Sequence, residues 1–265
     1  MMLDAKDLTI TFNPGTPIET KALRGMSIAI PKGQFVTVIG SNGAGKSTLL
    51  NAISGAQAVD GGSIQLAGVD VTRQPVWQRA KMVARVFQDP MAGTCEELTI
   101  EENLALAAHR GGKRGFRLSI SKAMRDEFQE RLALLGLGLE NRLTDRIGLL
   151  SGGQRQAVSL LMASLRPSKI LLLDEHTAAL DPRTAAFVLE LTQTLVADEH
   201  LTTMMVTHSM RQALEIGERT VMLHQGRVVL DVSGPERANL TVADLLAMFE
   251  SVRGETLDDD ALLLG

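Results

Sequence analysis

The run Gly40-Ser41-Asn42-Gly43-Ala44-Gly45-Lys46-Ser47 constrains the fold more tightly than any other stretch of this chain. An apolar run over residues 35–39 precedes it and a helix-forming run follows from Lys46, so the glycines occupy a strand-to-helix turn. Glycine lets such a turn bend until several backbone N–H groups point at one anion, and the helix dipole favours negative charge at the same place. Lys46 suits the β- and γ-phosphates of a nucleotide, and the hydroxyl of Ser47 suits Mg²⁺, a hard cation that prefers oxygen. A glycine-rich turn before a core helix would satisfy part of this pattern without a ligand. The strand, lysine, hydroxyl and helix together favour nucleotide binding.

The 265 residues are enough to bury a substantial core as one large domain, or as a domain with an inserted subdomain. A single cysteine, Cys95, rules out an intramolecular disulfide framework and suits a reducing compartment. With 27 basic and 31 acidic residues the formal net charge is −4, so no global positive field argues for nucleic acid. The first residues lack the basic head and apolar core of a secretory signal. Apolar runs such as 170–173 are of buried-strand length, far below the about 20 residues that span a bilayer. Any membrane role is therefore expected to use a partner.

Patterning divides the chain. Strand signals fall at residues 8–12, 26–30, 35–39, 63–67 and 83–87. From Asp89 to about Arg166 the period becomes helical, over 99–108, 121–135 and 154–165, which predicts a helical insertion. After Pro167 strand and helix alternate at 170–174, 184–196, 202–207, 210–216 and 221–223, the pattern of a mostly parallel sheet, with Gly226 separating the last strand pair. A short amphipathic helix is expected over 242–252, followed by an acidic tail. The basic, glycine-rich stretch 109–117 reads as a solvated connector, or more sharply as a contact with lipid heads or a membrane partner.

Two apolar strands end in groups that carry chemistry. Residues 170–173 lead into Asp174 and Glu175, which point in different directions because strand side chains alternate; one can serve a metal and the other address water. Asp174 is the metal-side candidate and Glu175 the general base. Residues 202–207 lead into His208, a candidate sensor of the γ-phosphate, since parallel strand ends converge on one side of a sheet. An isolated histidine there is more often a hydrogen-bonded structural residue. Leu150-Ser151-Gly152-Gly153-Gln154 opens a helix that Ser151 can cap; its glycines leave N–H groups open to a second anion, though a plain helix cap reads the same. No residues show zinc-ligand spacing.

With that last motif the chain resembles the nucleotide-binding subunits of ATP-binding cassette (ABC) transporters, over about residues 3–230. The Walker A motif of the family matches Gly40 through Lys46, Ser47 and Thr48, its Q-loop glutamine matches Gln88, and its Walker B matches 170–174 followed by the catalytic Glu175. Its signature matches Ser151, Gly152, Gly153 and Gln154, its D-loop ends at Asp181, and its switch histidine matches His208. Phe12 resembles the aromatic residue that stacks on adenine, usually a tyrosine, which this chain lacks. His176, Thr177 and Ala178 replace the Pro-Thr-Ser of many relatives, and residues 144–149 lack the glutamate-centred loop common in exporters.

The resemblance implies an α/β fold: a P-loop NTPase core with a mixed, mostly parallel sheet, an N-terminal antiparallel β subdomain and an inserted α-helical subdomain. In this scheme 3–250 is one ATPase domain, with core and β parts at 3–88 and 167–232, a helical part at 89–166, and a C-terminal helix and tail at 233–265. It implies ATP as substrate and Mg²⁺ as cofactor, the metal held by Ser47, Gln88 and Asp174. It implies two identical chains packed head to tail, each ATP lying between 40–48 of one and 151–154 of the other, with Asp181 contributing. The expected partners are integral-membrane permease subunits, docked through residues 89–118, and an extracytoplasmic solute-binding protein; the expected place is the cytoplasmic face of the membrane. The motifs around Asp89 and Asp174 most resemble those of importers of amino acids and related small solutes. An exporter subunit, or a soluble ABC ATPase acting on nucleic acid or ribosomes, is the alternative, but the latter usually carries a long coiled coil or two cassettes.

Overall fold

A computed structural model describes residues 1–112 and 120–253, leaving part of the basic stretch 109–117 and all of the tail 254–265 outside the described residues. The chain forms two compact units, Met1–Arg79 with Leu201–Gly265, and Ala80–His200.

The first unit opens with β1 (Leu3–Phe12), β2 (Thr20–Ile30), β3 (Phe35–Gly40), α1 (Lys46–Ser54), β4 (Gly61–Leu66), β5 (Val69–Asp70) and the single turn α2 (Val76–Arg79). An antiparallel sheet of order β2-β1-β4-β5 results. Both long strands start well before the residues that alternation alone marks, and bulges explain why. In β1 the register against β2 shifts between Ala5 and Leu8, where Asp7 has a φ of 50°. That extra residue switches the buried positions from Leu3 and Ala5 to Leu8 and Ile10, so one strand reads as a break followed by a strand. Gly25, with φ 75°, accompanies the same switch in β2, between Leu23 and Met26.

The second unit contains β6 (Val83–Val86), α3 (Ile100–Ala108), α4 (Lys122–Ala133), α5 (Gly152–Ser164), β7 (Ile170–Asp174) and α6 (Pro182–Asp198). β6 and β7 are parallel, Val86 facing Leu173. The helices share one apolar core in which Ile100, Leu104, Phe128, Leu132, Val158 and Leu161 are buried. Side-chain caps hold the helix starts. Thr99 and Ser151 each form a capping box, with Glu102 and Gln154, while Asp181 accepts from the Thr184 amide in front of Pro182. Asn103, wholly buried, ties the preceding loop to α3 through bonds with the Cys95 amide and the carbonyls of Cys95 and Thr99.

The chain then returns to the first unit with β8 (Thr203–Val206), α7 (Met210–Glu215), β9 (Arg219–His224), β10 (Arg227–Ser233), α8 (Gly234–Ala238) and α9 (Val242–Arg253). Here β3 is central, parallel to β8 on one side and β9 on the other, and β10 pairs antiparallel with β9. All six residues of β3 are buried, the signature of a strand covered on both faces. Ile39, Met210, Ala213, Met222, Leu245 and Phe249 form the cluster that seats α9. No helix among the described residues is long and apolar enough to cross a membrane.

Candidate functional site

Within the first unit, the parallel pairing of β3 and β8 brings two of the sequence candidates to one sheet end. Val38 lies opposite Val206, and its carbonyl accepts from the Thr207 amide at 3.1 Å, so the Gly40 loop and His208 leave adjacent strands side by side. The loop is shaped by its glycines. A Cβ at Gly40 would lie 2.3 Å from the Leu223 carbonyl oxygen, and one at Gly45 would lie 2.7 Å from that of Ala22, whereas one at Gly43 would meet nothing within 4 Å. The first two glycines allow the loop to press on β9 and β2; Gly43 turns its bare face to open space, as a loop must where a ligand approaches.

Gly45 also stands at the N-cap of α1, with φ 100°, and provides no side-chain cap. The start of α1 thus lacks the capping hydroxyl or carboxylate found at α3, α5 and α6, and an uncapped helix start suits an anion. Lys46 is 6% exposed, and its ammonium donates to the Gly40 and Ser41 carbonyls at 2.7 and 3.1 Å. This curls the charge into the loop's concavity. Ala44 is buried, Ser47 exposed and Thr48 partly buried at the start of α1. Phe12 ends β1 opposite Thr20 and is 38% exposed, on the strand next to β2, whose Ala22 and Leu23 back Gly45. His208 is partly exposed ahead of Ser209, which caps α7.

The second unit gathers the remaining candidates. Because β6 and β7 run parallel, Gln88 and the pair Asp174 and Glu175 emerge at the same end of adjacent strands. Gln88 is exposed, and the carbonyl just before it, on Phe87, accepts from the buried Gln156 side chain at 3.0 Å, an anchor supplied by α5. Asp174 is 7% exposed and accepts from Arg85 at 2.6 Å. Glu175 is 9% exposed with a φ of 46°, a left-handed conformation costly for a residue bearing Cβ. The strand is thereby turned sharply at the candidate base. His176, the next residue, is 2% exposed and bonds to Thr192 at 2.9 Å, pinning the turn to α6.

The signature residues lie beside the start of α6. Ser151 accepts from the Gln154 amide and Gln154 accepts from the Ser151 amide, so both side chains are engaged in capping. Gly152 has room, since a Cβ there would meet only Leu180 at 3.6 Å. Gly153 has none: its Cβ would come within 2.0 Å of the Thr184 methyl. The second glycine is therefore demanded by helix packing, apart from any ligand. Asp181 is held below the usual carboxylate range by hydrogen bonds from Thr184.

Arg85, Gln156 and His176 are structural neighbours of these candidates that their motifs do not single out. Arg85 carried a signal, a lone charge among apolar strand residues 83–86. In the second unit the Asp174 carboxylate and the Gln88 amide emerge at the same strand end and offer oxygen donors of the kind Mg²⁺ takes. No three His, Cys, Asp or Glu side chains among the described residues converge on a common point, and Mg²⁺ is commonly held by one or two protein oxygens with phosphates and water completing its shell.

A family model described as ABC transporter matches residues 23–178. The tyrosine transport ATP-binding protein of Clostridioides difficile (strain R20291) is 46% identical, over 94% of this chain and 99% of its own length. An aliphatic sulfonates import ATP-binding protein, SsuB 2 of Agrobacterium fabrum, is 32% identical over 90% of this chain and 83% of its own. Among solved structures, the dimeric post-hydrolysis state of the ATP-binding cassette MJ0796 with ADP and Pi has a TM-score of 0.75 at 28% identity, covering 88% of this chain and 98% of that one. The ADP conformation of the cassette MJ1267 has a TM-score of 0.76 at 25% identity, covering 96% and 99%. The mixed α/β architecture, the loop at residues 40–48 and these likenesses agree: the chain belongs to the ABC transporter family, as one of its ATP-binding, ATP-hydrolysing subunits.

Proposed function

We propose that this chain powers an importer of an amino acid or a related small organic solute, acting on integral-membrane permease subunits. The observation that carries the solute class is the likeness to the tyrosine transport ATP-binding protein, 46% identical with almost full coverage of both chains. The preference for import is further supported by the relative named for aliphatic sulfonates import.

The proposed roles follow from the local chemistry. The amides of residues 40–48 and the Lys46 ammonium hold the triphosphate, and Phe12 offers a π-face to adenine. Ser47, Gln88 and Asp174 hold Mg²⁺, which when bound offsets charge on the phosphate oxygens. Glu175 accepts a proton from the attacking water, and His208 contacts the γ-phosphate as charge develops there. Ser151, Gly152, Gly153, Gln154 and Asp181 serve the nucleotide of a second copy in a head-to-tail dimer. In that arrangement the γ-phosphate contacts both copies, so its cleavage removes the group that joins them and chemistry becomes motion. Gln88, next to residues 89–118, passes the change to the permease. An extracytoplasmic solute-binding protein would complete such a system, with the chain at the cytoplasmic face of the membrane.

Glu175→Gln tests the centre of this reading. It should keep ATP, favour a dimer by light scattering, and lose about 10²- to 10⁴-fold in turnover. Undiminished hydrolysis rejects the base assignment. Ser151→Arg should abolish turnover and spare nucleotide binding by the monomer; normal turnover rejects the shared site. Uptake of labelled tyrosine and other amino acids into vesicles containing the cognate permease tests the solute class, and failure with all of them removes it.

A further inference from the structure

Arg85 is the one charged residue of a strand whose other members, Val83, Ala84 and Val86, are buried. The parallel register sets it beside Leu172, and alternate residues of a strand share a face, so Asp174 lies diagonally ahead on the same face. The guanidinium spans that diagonal. Its Nη2 donates to Asp174 Oδ2 at 2.6 Å, with side-chain exposures of only 13% and 10%. Phe87, two residues on, lies against the guanidinium, with Cζ 4.7 Å from the ring centroid. A planar cation clasped between a carboxylate and an aromatic face is an oriented charge, which a lysine would reproduce in sign but not in shape.

Resting on the assignment of Asp174 to the metal, we propose that Arg85 is a positioning residue that sets the divalent-cation affinity of this carboxylate. The guanidinium offsets the charge of Asp174, and an oxygen already accepting a charge-assisted bond is a weaker donor to a second cation. A bare divalent ion therefore meets little net negative charge at Asp174. An ion held here would be favoured by the phosphates of a bound nucleotide, which bring the charge that Arg85 has offset. Stacking on Phe87 further ties the metal-side carboxylate to the backbone that precedes Gln88, so the two metal candidates of this unit are adjusted together.

The test uses the full chain and Mn²⁺ as a paramagnetic probe, with free ion measured by electron paramagnetic resonance. Without nucleotide, R85Q should bind Mn²⁺ about tenfold more tightly than the unaltered chain, a change of about 1.4 kcal/mol. R85M, which keeps an apolar stem against Phe87, carries the same expectation and stands in if R85Q does not fold. R85K should stay within about twofold, because the charge remains. R85Q combined with D174N should return to the original affinity. Unchanged affinity in R85Q and R85M, tenfold tightening in R85K, or tightening that survives in the double variant overturns the inference. The underlying assignment fails in a different arm. If D174N leaves Mn²⁺ binding to the ADP-saturated protein unaltered, Asp174 is not a metal residue and the inference falls with it.

Discussion

The turn after Glu175 should come under acid stress through His176, and the size of the effect follows from its burial. The imidazole is 2% exposed, and desolvation lowers its pKa from 6.5 to about 4. Its partner settles the tautomer. The Thr192 hydroxyl donates to the Val188 carbonyl at 2.8 Å, so its oxygen is left to accept, and the proton of the neutral ring sits on Nε2. Because the folded pKa is depressed, the unfolded chain binds a proton between pH 6.5 and about 4 that the folded chain refuses. Stability is therefore complete above the unfolded value, falls as pH drops through this window, and stops falling below the folded value. Linkage puts the loss at about 2.5 kcal/mol between about pH 7.5 and pH 4.5. Glutamine at 176 could still donate to Thr192 without titrating. Urea unfolding followed by far-ultraviolet circular dichroism at several pH values should thus show a smaller acid loss in H176Q, by about 2 kcal/mol. Tryptophan fluorescence is a poor substitute, since Trp77, the single tryptophan, is 68% exposed. Equal acid losses in the two proteins would refute the account, for the ring would then be charging without penalty.

Three further outcomes follow from other sites. Arg79, 2% exposed, donates to the carbonyls of Ala52, Ile53, Thr72 and Gln74, so Arg79→Met strands several acceptors around the end of α1 and should cost about 3–5 kcal/mol in denaturant unfolding. Gly153→Ala, driven against the Thr184 methyl, should cost about 1–3 kcal/mol, and adding Thr184→Ser should recover most of it; no recovery would mean that the clash is not the cause. Glu97→Gln breaks an ion pair whose side chains are 65% and 83% exposed, and it should change the melting midpoint by no more than an about 0.5 kcal/mol equivalent.

The parts of the molecule legible in the sequence are those governed by short-range rules. The buried run of β3, the glycines and lysine after it, and the caps at Thr99, Ser151 and Asp181 each act within a few residues. What alternation alone misplaces is whatever a bulge interrupts: β1 and β2 begin at Leu3 and Thr20, because Asp7 and Gly25 invert the inside-outside phase midway. The candidate site divides in the same manner. Candidates whose type suits a proposed chemistry, such as Lys46, Glu175 and His208, can be named from a motif. Residues that act through a neighbour distant in sequence cannot. Gln156 holds the Phe87 carbonyl from 69 positions away, Arg85 reaches Asp174 across 89, and His176 depends on a threonine two-thirds of the way along α6. Each of the three is buried or nearly so; Arg85 bonds to a motif residue, Gln156 to the neighbour of one, and His176 is itself the neighbour of Glu175. A motif proposes which atoms meet a nucleotide, whereas these contacts hold the backbone and side chains of the candidates and set the charge beside one of them. Differences in rate or metal dependence between family members with identical motifs should accordingly map to positions 85, 156 and 176. Exchanging these three residues between this chain and a slower or faster relative, with every motif left intact, should move turnover in the direction of the donor.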